Sequence, residues 1–303
     1  MTRTEKMLFY IKPSSQKGLE IGPLDKPLIT RSMGSIRYVD HTTMEELREK
    51  CGTWGTHDIS QIVDVDYVWG EKNLRELTEK EYPFDYVIAS HVIEHVPDLI
   101  GWLKEIRDVL KIGVIVSLAI PDKRFTYDYF RQLTKPAEIL EAYLRKAKKP
   151  SPRQIFDYKS EFVRRDGDFS WNVFGFPGEL VHEHSVGESW AITRHAYERN
   201  QYIDVHCWVF TELSFMKLLL VLVQLDLFDF IIAGFSKRKG HEFYISLSAV
   251  DLNMDRLERQ RIQRESIVMT IKKMEHVYFK PLFDPRSWKT VHLLRLVKKK
   301  IFR

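Results

Sequence analysis

Residues 84–124 read FDYVIASHVIEHVPDLIGWLKEIRDVLKIGVIVSLAIPDKR, and the fold is decided inside them. FDYVIAS (84–90) is a short, almost uninterrupted apolar run of the kind that makes a strand buried on both faces. From Asp98 onward the spacing changes. Leu99, Trp102, Leu103, Ile106, Val109 and Leu110 recur every three or four residues, which predicts one apolar face of a helix. VIVSLAI (114–120) then returns to strand character. A strand, a helix and a second strand of this kind predict a crossover unit in a mostly parallel sheet covered by helices.

The same alternation extends toward the amino terminus. GLEIG (18–22) reads as a first strand, IRYVD (36–40) as a second and QIVDVD (61–66) as a third. On the carboxyl side, FTELSFMKLLLVLVQL (210–225) predicts a long apolar helix. LFDFIIAGF (227–235) and HEFYISLSAV (241–250) predict antiparallel strands about the turn SKRKG. Gln224, Asp226 and Asp229 interrupt the 218–235 stretch and argue against a membrane span. The expectation is an α/β, Rossmann-like, mostly parallel seven-stranded sheet with a final antiparallel strand. Between its halves, residues 121–205 are aromatic, charged and proline-containing, with a short helix over 137–148, and are expected to cap the carboxyl ends of the strands. Residues 1–250 therefore form the predicted domain and 251–303 a basic helical extension, its last stretch WKTVHLLRLVKKKIFR expected to pack, to dimerise or to touch an anionic membrane.

Charge follows the same division. Of the net +5 over 303 residues, the tail 251–303 carries +8 and the body −3, so the basicity gives no reason to expect nucleic acid on the core. Two cysteines, Cys51 and Cys207, exclude a disulfide framework and a four-cysteine zinc site. The opening MTRTEKMLFYIKPSS lacks the apolar run of a secretory signal, which gives the expectation of a cytoplasmic protein, peripheral at most at the inner face of the membrane.

Strand ends carry the candidate chemistry. Gly22 ends the first strand, but Pro23, Leu24 and Asp25 stand where a dinucleotide fingerprint needs glycines, and Glu20 and Asp25 add negative charge. Such a loop suits a ligand with cationic groups better than a diphosphate. Asp40 ends the second strand at a spacing that suits ribose hydroxyls, and Asp64 and Asp66 close the third. Beyond the fourth strand lies His91-Val92-Ile93-Glu94-His95. HxxEH also occurs in zinc proteases, but on a helix, whereas here it leaves a strand. Asp122, Lys123 and Arg124 emerge beside it. His182 and His184 sit in the cap with Phe169, Trp171, Phe174, Phe176 and Trp190, whose faces suit sugar rings or ordinary packing.

These stretches together resemble the class I S-adenosylmethionine-dependent methyltransferases, of the methyltransferase-domain type associated with polysaccharide biosynthesis. LEIGPLDKP looks like the first motif, IRYVD the acidic second-strand motif, and ASHVIEHVPD the fourth-strand block that is the specific part of the likeness. The resemblance implies S-adenosyl-L-methionine as cofactor, with Glu20 and Gly22 at its methionine end, Asp40 on the ribose, Asp66 and Tyr67 beside adenine, and Ser90 and His91 near the methyl. It implies O-methylation of a sugar hydroxyl on a surface glycan or a lipid- or nucleotide-linked precursor. A small-molecule acceptor and a non-catalytic cofactor-binding scaffold are the alternatives. Methyl transfer to a hydroxyl calls for a base; His91, Asp122 and His184 are the candidates. Asp122, Asp128, Glu183 and His184 offer ligand atoms, but their spacing alone assigns no metal.

Overall fold

The computed structural model describes residues 1–54, 57–70, 72–172 and 178–283. The terminal helix expected over 286–303 and the cap aromatics Phe174 and Phe176 lie outside the described residues. Five strands run parallel in the central sheet: β1 (Lys17–Ile21), β2 (Ser35–Asp40), β3 (Tyr67–Val68), β4 (Phe84–Ser90) and β5 (Leu110–Pro121). The cap adds a separate two-stranded ribbon, β6 (Val163–Arg165) and β7 (Leu180–His182). The chain then returns as β8 (Phe230–Lys239) and β9 (Glu242–Ala249), with β9 antiparallel to both β5 and β8. The order β3-β2-β1-β4-β5-β9-β8 makes the seven-stranded Rossmann-like sheet with one antiparallel strand.

Both faces of the sheet are buried, which explains the unbroken apolar runs. On β4, Val87 and Ala89 join Leu103, Ile106, Val116 and Leu118 on one side, while Tyr86 and Ile88 join Met7, Ile36, Ala119 and Tyr244 on the other. The first side is covered by α4 (Leu99–Asp108), which starts where Asp98 accepts the Gly101 N–H at 2.8 Å. The second side is covered by the amino-terminal helix α1 (Arg3–Met7), anchored where Ser117 Oγ donates to the Met7 carbonyl at 2.7 Å. Helices α2 (Met44–Trp54) and α3 (Leu74–Leu77) flank β3 in sequence.

The third strand differs from its expected position. QIVDVD is not a strand: Ile59–Gln61 is a 3₁₀ turn capped by Asp58, and pairing starts only at Tyr67. The segment is extended and buries Ile62, but it is tied down by isolated bonds, Val63 N–H to the Leu24 carbonyl at 3.1 Å and Asp66 N–H to Tyr38 at 2.9 Å. A periodic apolar pattern thus found burial without a ladder. The turn SKRKG is likewise mostly strand, since β8 runs to Lys239 and reverses at Gly240.

Between β5 and β8 the helix expected over 137–148 is present as α5 (Pro136–Leu144), and the cap region adds two further helices, α6 (Pro152–Glu161) and α7 (Val186–Glu198). The first of these packs on α4 and places Ile139 in the main core, so it belongs to the layer under the sheet. The others form the cap with the β6–β7 ribbon, whose small core holds Phe125, Val163 and Trp171. Helix α8 (Glu212–Gln224) fills the main core with Phe215, Leu219 and Leu222.

The final described element, α9 (Arg256–Phe283), falls within the expected helical extension. Its first half docks on α8 and β8. Ile267 is fully buried, Arg259 pairs with Asp226 at 2.8 Å, and Gln263 Nε2 donates to the Phe228 carbonyl. Among the described residues no helix is long and apolar enough to cross a membrane. Ile267→Ala should destabilise the domain by about 2–4 kcal/mol in urea unfolding, the range for emptying a well-packed aliphatic site. A change below about 0.5 kcal/mol would show that this half of α9 is a loosely attached appendage.

Candidate active site

The sheet order puts the ends of β1 and β4 side by side, because the chain moves outward from β1 through β2 and β3 and then restarts on its other flank. Such a reversal opens a crevice at the carboxyl ends of the strands. Ile21 pairs with Ala89, so Gly22 and Ser90 stand next to each other at its rim. Gly22 has φ +65°, and a Cβ there would come within 2.8 Å of Val92 Cγ2. Glycine is therefore required both by backbone conformation and by the close approach of the β4 exit.

Glu20 shapes the loop beyond Gly22. Its carboxylate is buried and accepts the N–H groups of Leu28 at 2.7 Å and Ile29 at 3.1 Å. Burial pushes its pKa up to about 7, against the pull of those two donors. Asp25, expected to present charge to a ligand, turns inward instead and accepts from His57 at 2.7 Å and from the Asp58 N–H at 3.1 Å. At the end of β2, Asp40 Oδ1 is engaged by the N–H and ring of His41 at 2.7 and 2.6 Å, whereas Oδ2 has no hydrogen bond among the described residues.

Asp66 and Tyr67 are not brought to this rim. The Asp66 carboxylate accepts the Tyr38 N–H at 2.8 Å and pairs with Arg31 at 3.0 Å, part-way down β2. Tyr67 donates to Glu81 at 2.8 Å, and Glu81 also pairs with Arg37 at 2.9 Å. The reason is register: β3 opens at Tyr67, which pairs with Val39, so Asp66 lies level with Tyr38, and the Tyr67 side chain turns to Glu81.

His91 does reach the rim. It is a non-glycine residue at φ +55°, a conformation that costs about 1 kcal/mol and is held here by the partners of its ring. Nε2 donates to Glu242 at 2.8 Å, and Nδ1 lies 3.5 Å from Glu94. Burial opposes a charged ring, yet the two carboxylates prevail and lift its pKa to about 9. Glu242 is held at about 2 despite burial, by His91 and by Arg3 at 2.8 Å. Arg3 also donates to Ser90 Oγ, so the amino-terminal helix closes one side of the rim.

Beside this pair sits His241, at the turn into β9, its ring centroid 5.4 Å from that of His91. Burial, and then the neighbouring His91, push its pKa below the ordinary imidazole value. His241, Glu242, Arg3 and His206 were not foreseen from sequence; the His-Glu pair after a hairpin turn was the available signal.

The other expected groups have different occupations. Asp122 is fully buried and caps the turn Lys123–Phe125, accepting from the Arg124 N–H at 3.1 Å and its guanidinium at 2.8 Å. Lys123 donates to the Tyr129 carbonyl at 2.7 Å. His184 lies between β7 and α7, among Glu183 and Glu188 of the cap, and no contact joins it to His91 or Asp122. Trp171 turns inward and donates to the Arg124 carbonyl at 3.0 Å, whereas Trp190 is exposed.

A family profile described as a methyltransferase domain matches residues 7–219. No curated protein matches the chain. Among solved structures, the CurJ carbon methyltransferase is 10% identical, with 79% of this chain and 50% of that chain covered at a TM-score of 0.37. This chain therefore spans half of that one. An S-adenosylmethionine-dependent methyltransferase from Clostridium acetobutylicum ATCC 824 is 10% identical over 78% of this chain and 84% of that chain, with a TM-score of 0.38. Magnesium protoporphyrin IX methyltransferase from Synechocystis PCC 6803, solved with bound cofactor, is 9% identical over 81% and 76%, with a TM-score of 0.35.

The Glu20 environment has a consequence for stability. A carboxyl whose folded pKa stands near 7 instead of 4.5 holds its proton more tightly when folded, so its contribution falls as pH rises from 4.5 to 7 and is constant above. The loss should amount to up to about 3 kcal/mol. Glu20→Gln should flatten the unfolding free energy over that window; an unchanged slope would remove Glu20 as its source.

Proposed function

The chain belongs to the methyltransferase-domain family, and from that premise we propose that it is an O-methyltransferase acting on a sugar hydroxyl of a surface glycan or its lipid- or nucleotide-linked precursor. It is a class I S-adenosylmethionine-dependent methyltransferase. The rim fits that cofactor on two counts: Gly22 lets a ligand approach the backbone, and Asp40 Oδ2, without a hydrogen bond among the described residues, suits hydroxyl groups. When bound, the cofactor supplies an activated methyl group.

The assignment of roles follows from position. Asp40 would accept from the ribose hydroxyls, Gly22 and the Glu20-held loop would border the methionine end, and Ser90 and His91 would stand near the methyl. His241 is assigned as the base. It lies at the same strand-end rim and is unprotonated at neutral pH, as a proton acceptor must be. His91 is committed to Glu242 and is assigned to positioning.

The observation that carries the sugar acceptor is the polarity of the rim. Arg3, Ser90, His91, His241 and Glu242 gather polar and charged groups at the strand ends, and the cap exposes Trp190 and Phe169. Polyhydroxylated rings suit polar surroundings with an occasional aromatic face. Nucleic acid is not proposed as a partner. Reversible contact with an anionic membrane, or pairing of two chains, is proposed for the basic stretch 286–303.

Transfer of labelled methyl from S-adenosylmethionine should be detected with nucleotide-sugar or glycan acceptors and not with phenolic or quinol acceptors. The reverse preference would establish a small-molecule enzyme. Asp40→Ala should weaken cofactor binding in calorimetry by roughly 1.5–3 kcal/mol. His241→Ala should lower kcat by about 10²–10⁴-fold with cofactor affinity retained, while His184→Ala should keep near wild-type turnover. Loss of turnover in the His184 variant alone would move the base into the cap.

A further inference from the structure

Just past β4 the chain buries a carboxylate that nothing among the described residues satisfies. Glu94 is 0% exposed, and neither of its oxygens accepts a hydrogen bond. Imidazoles nevertheless face it: besides His91, His206 Nε2 stands 3.9 Å and His95 Nε2 4.0 Å from Oε1. These gaps are too long for hydrogen bonds. A buried carboxylate left without one is costly and calls for a partner.

The orientation of the two histidines shows which partner. His95 turns Nδ1 to Asp204 at 2.9 Å, and His206 turns Nδ1 to Asp128 at 2.6 Å. Asp128 is held in turn by Arg131 at 2.7 Å. Each carboxylate fixes the proton on Nδ1, which leaves Nε2 as the lone-pair nitrogen on the side of the ring nearer Glu94. A carboxylate behind each imidazole is the support that metal-binding histidines have.

We propose that Glu94, His95 and His206 form a binding site for one divalent transition-metal ion, with Zn²⁺ the best match. Their three donor atoms lie within 4.8 Å of one another. Two imidazoles and a carboxylate suit Zn²⁺, Fe²⁺ or Co²⁺, whereas Mg²⁺ and Ca²⁺ prefer oxygen throughout. At Zn–N and Zn–O distances of about 2.0–2.2 Å the Glu94 gaps need to close by only about half an ångström. Tyr127 donates to His206 Nε2 at 2.7 Å in the ion-free form, and the ion displaces it. Three protein ligands leave a position for water or an acceptor oxygen.

The site also has a mechanical meaning. Glu94 and His95 come from the β4 exit, His206 from the strand-like segment returning from the cap. Cys207 and Trp208 already donate their N–H groups to the Glu94 carbonyl at 2.7 and 3.1 Å. The ion fastens the base of the cap to the end of β4 at the same place. HxxEH read as a ligand motif would have used His91 in place of His206, the wrong histidine.

The test uses the full chain, stripped with a chelator and titrated with Co²⁺ without cofactor, while visible absorption is followed; Zn²⁺ content is measured in parallel. One equivalent should bind and give d–d bands. Glu94→Gln and His206→Asn should each weaken binding at least tenfold, and His195→Ala, on the exposed face of α7, should not. In the wild type, Zn²⁺ should shift the ring NMR signals of His95 and His206 and leave that of His195 in place, which keeps the test decisive if a variant fails to fold. No saturable uptake by the wild type, or Glu94→Gln and His206→Asn binding like wild type, would overturn the site. Cofactor binding is measured separately, so a chain that takes S-adenosylmethionine but no ion refutes the ion alone.

Discussion

One buried carboxylate sets the terms for the whole top of the sheet. The Glu94 carboxylate is fully buried and accepts no hydrogen bond among the described residues, so its charge has to be balanced by what surrounds it. His91 does so from one side and is itself stabilised by Glu242, which is stabilised by Arg3. On the other side His206 is backed by Asp128 and Arg131. The result is a row of alternating charge from Arg3 of the amino-terminal helix through Glu242 and His91 to Glu94, continued through the His206–Asp128–Arg131 contacts to the foot of the cap. Removing one member leaves its neighbour buried and uncompensated, so the row constrains four distant parts of the chain at once.

That row also positions the rim proposed for methyl transfer. The left-handed backbone at His91 follows from ring partners on two sides, and it turns the chain sharply after Ser90. Val92 is thereby pressed against Gly22, closing the wall between β1 and β4. In the proposed function the cofactor side and the acceptor side meet at this turn. The strain there is small beside the buried ionic contacts that hold it.

Much of the fold was legible because burial on both faces writes continuous apolar runs. FDYVIAS and VIVSLAI became β4 and β5, and the three- and four-residue spacing of Leu99, Leu103 and Ile106 became the buried face of α4. QIVDVD misled for the same reason: Ile62 is buried, but burial without a neighbouring ladder is not a strand. Of the candidate site, Glu20, Gly22, Asp40, Ser90 and His91 were readable as strand-end residues, and the structure sets them along one edge of the sheet. Asp66 and Tyr67 stand at the opening of the short β3 and not at its close, with their side chains on Arg31 and Glu81. Asp122 carried the right residue type at the right edge, but its own neighbour Arg124 occupies it. His206, His241, Glu242 and Arg3 were invisible because their partners are far away in sequence, and only the antiparallel entry of β9 and the return from the cap bring them in.

The most direct test of this account is a crystal structure of the full chain with S-adenosylhomocysteine. The ribose hydroxyls should lie within about 3.2 Å of Asp40 Oδ2, the amino-acid end should lie over Gly22, and the sulfur should face Ser90 and His91, with the His91–Glu242 contact intact. Density for the ligand away from the β1–β4 crevice, or a ribose that leaves Asp40 without a partner, would contradict it.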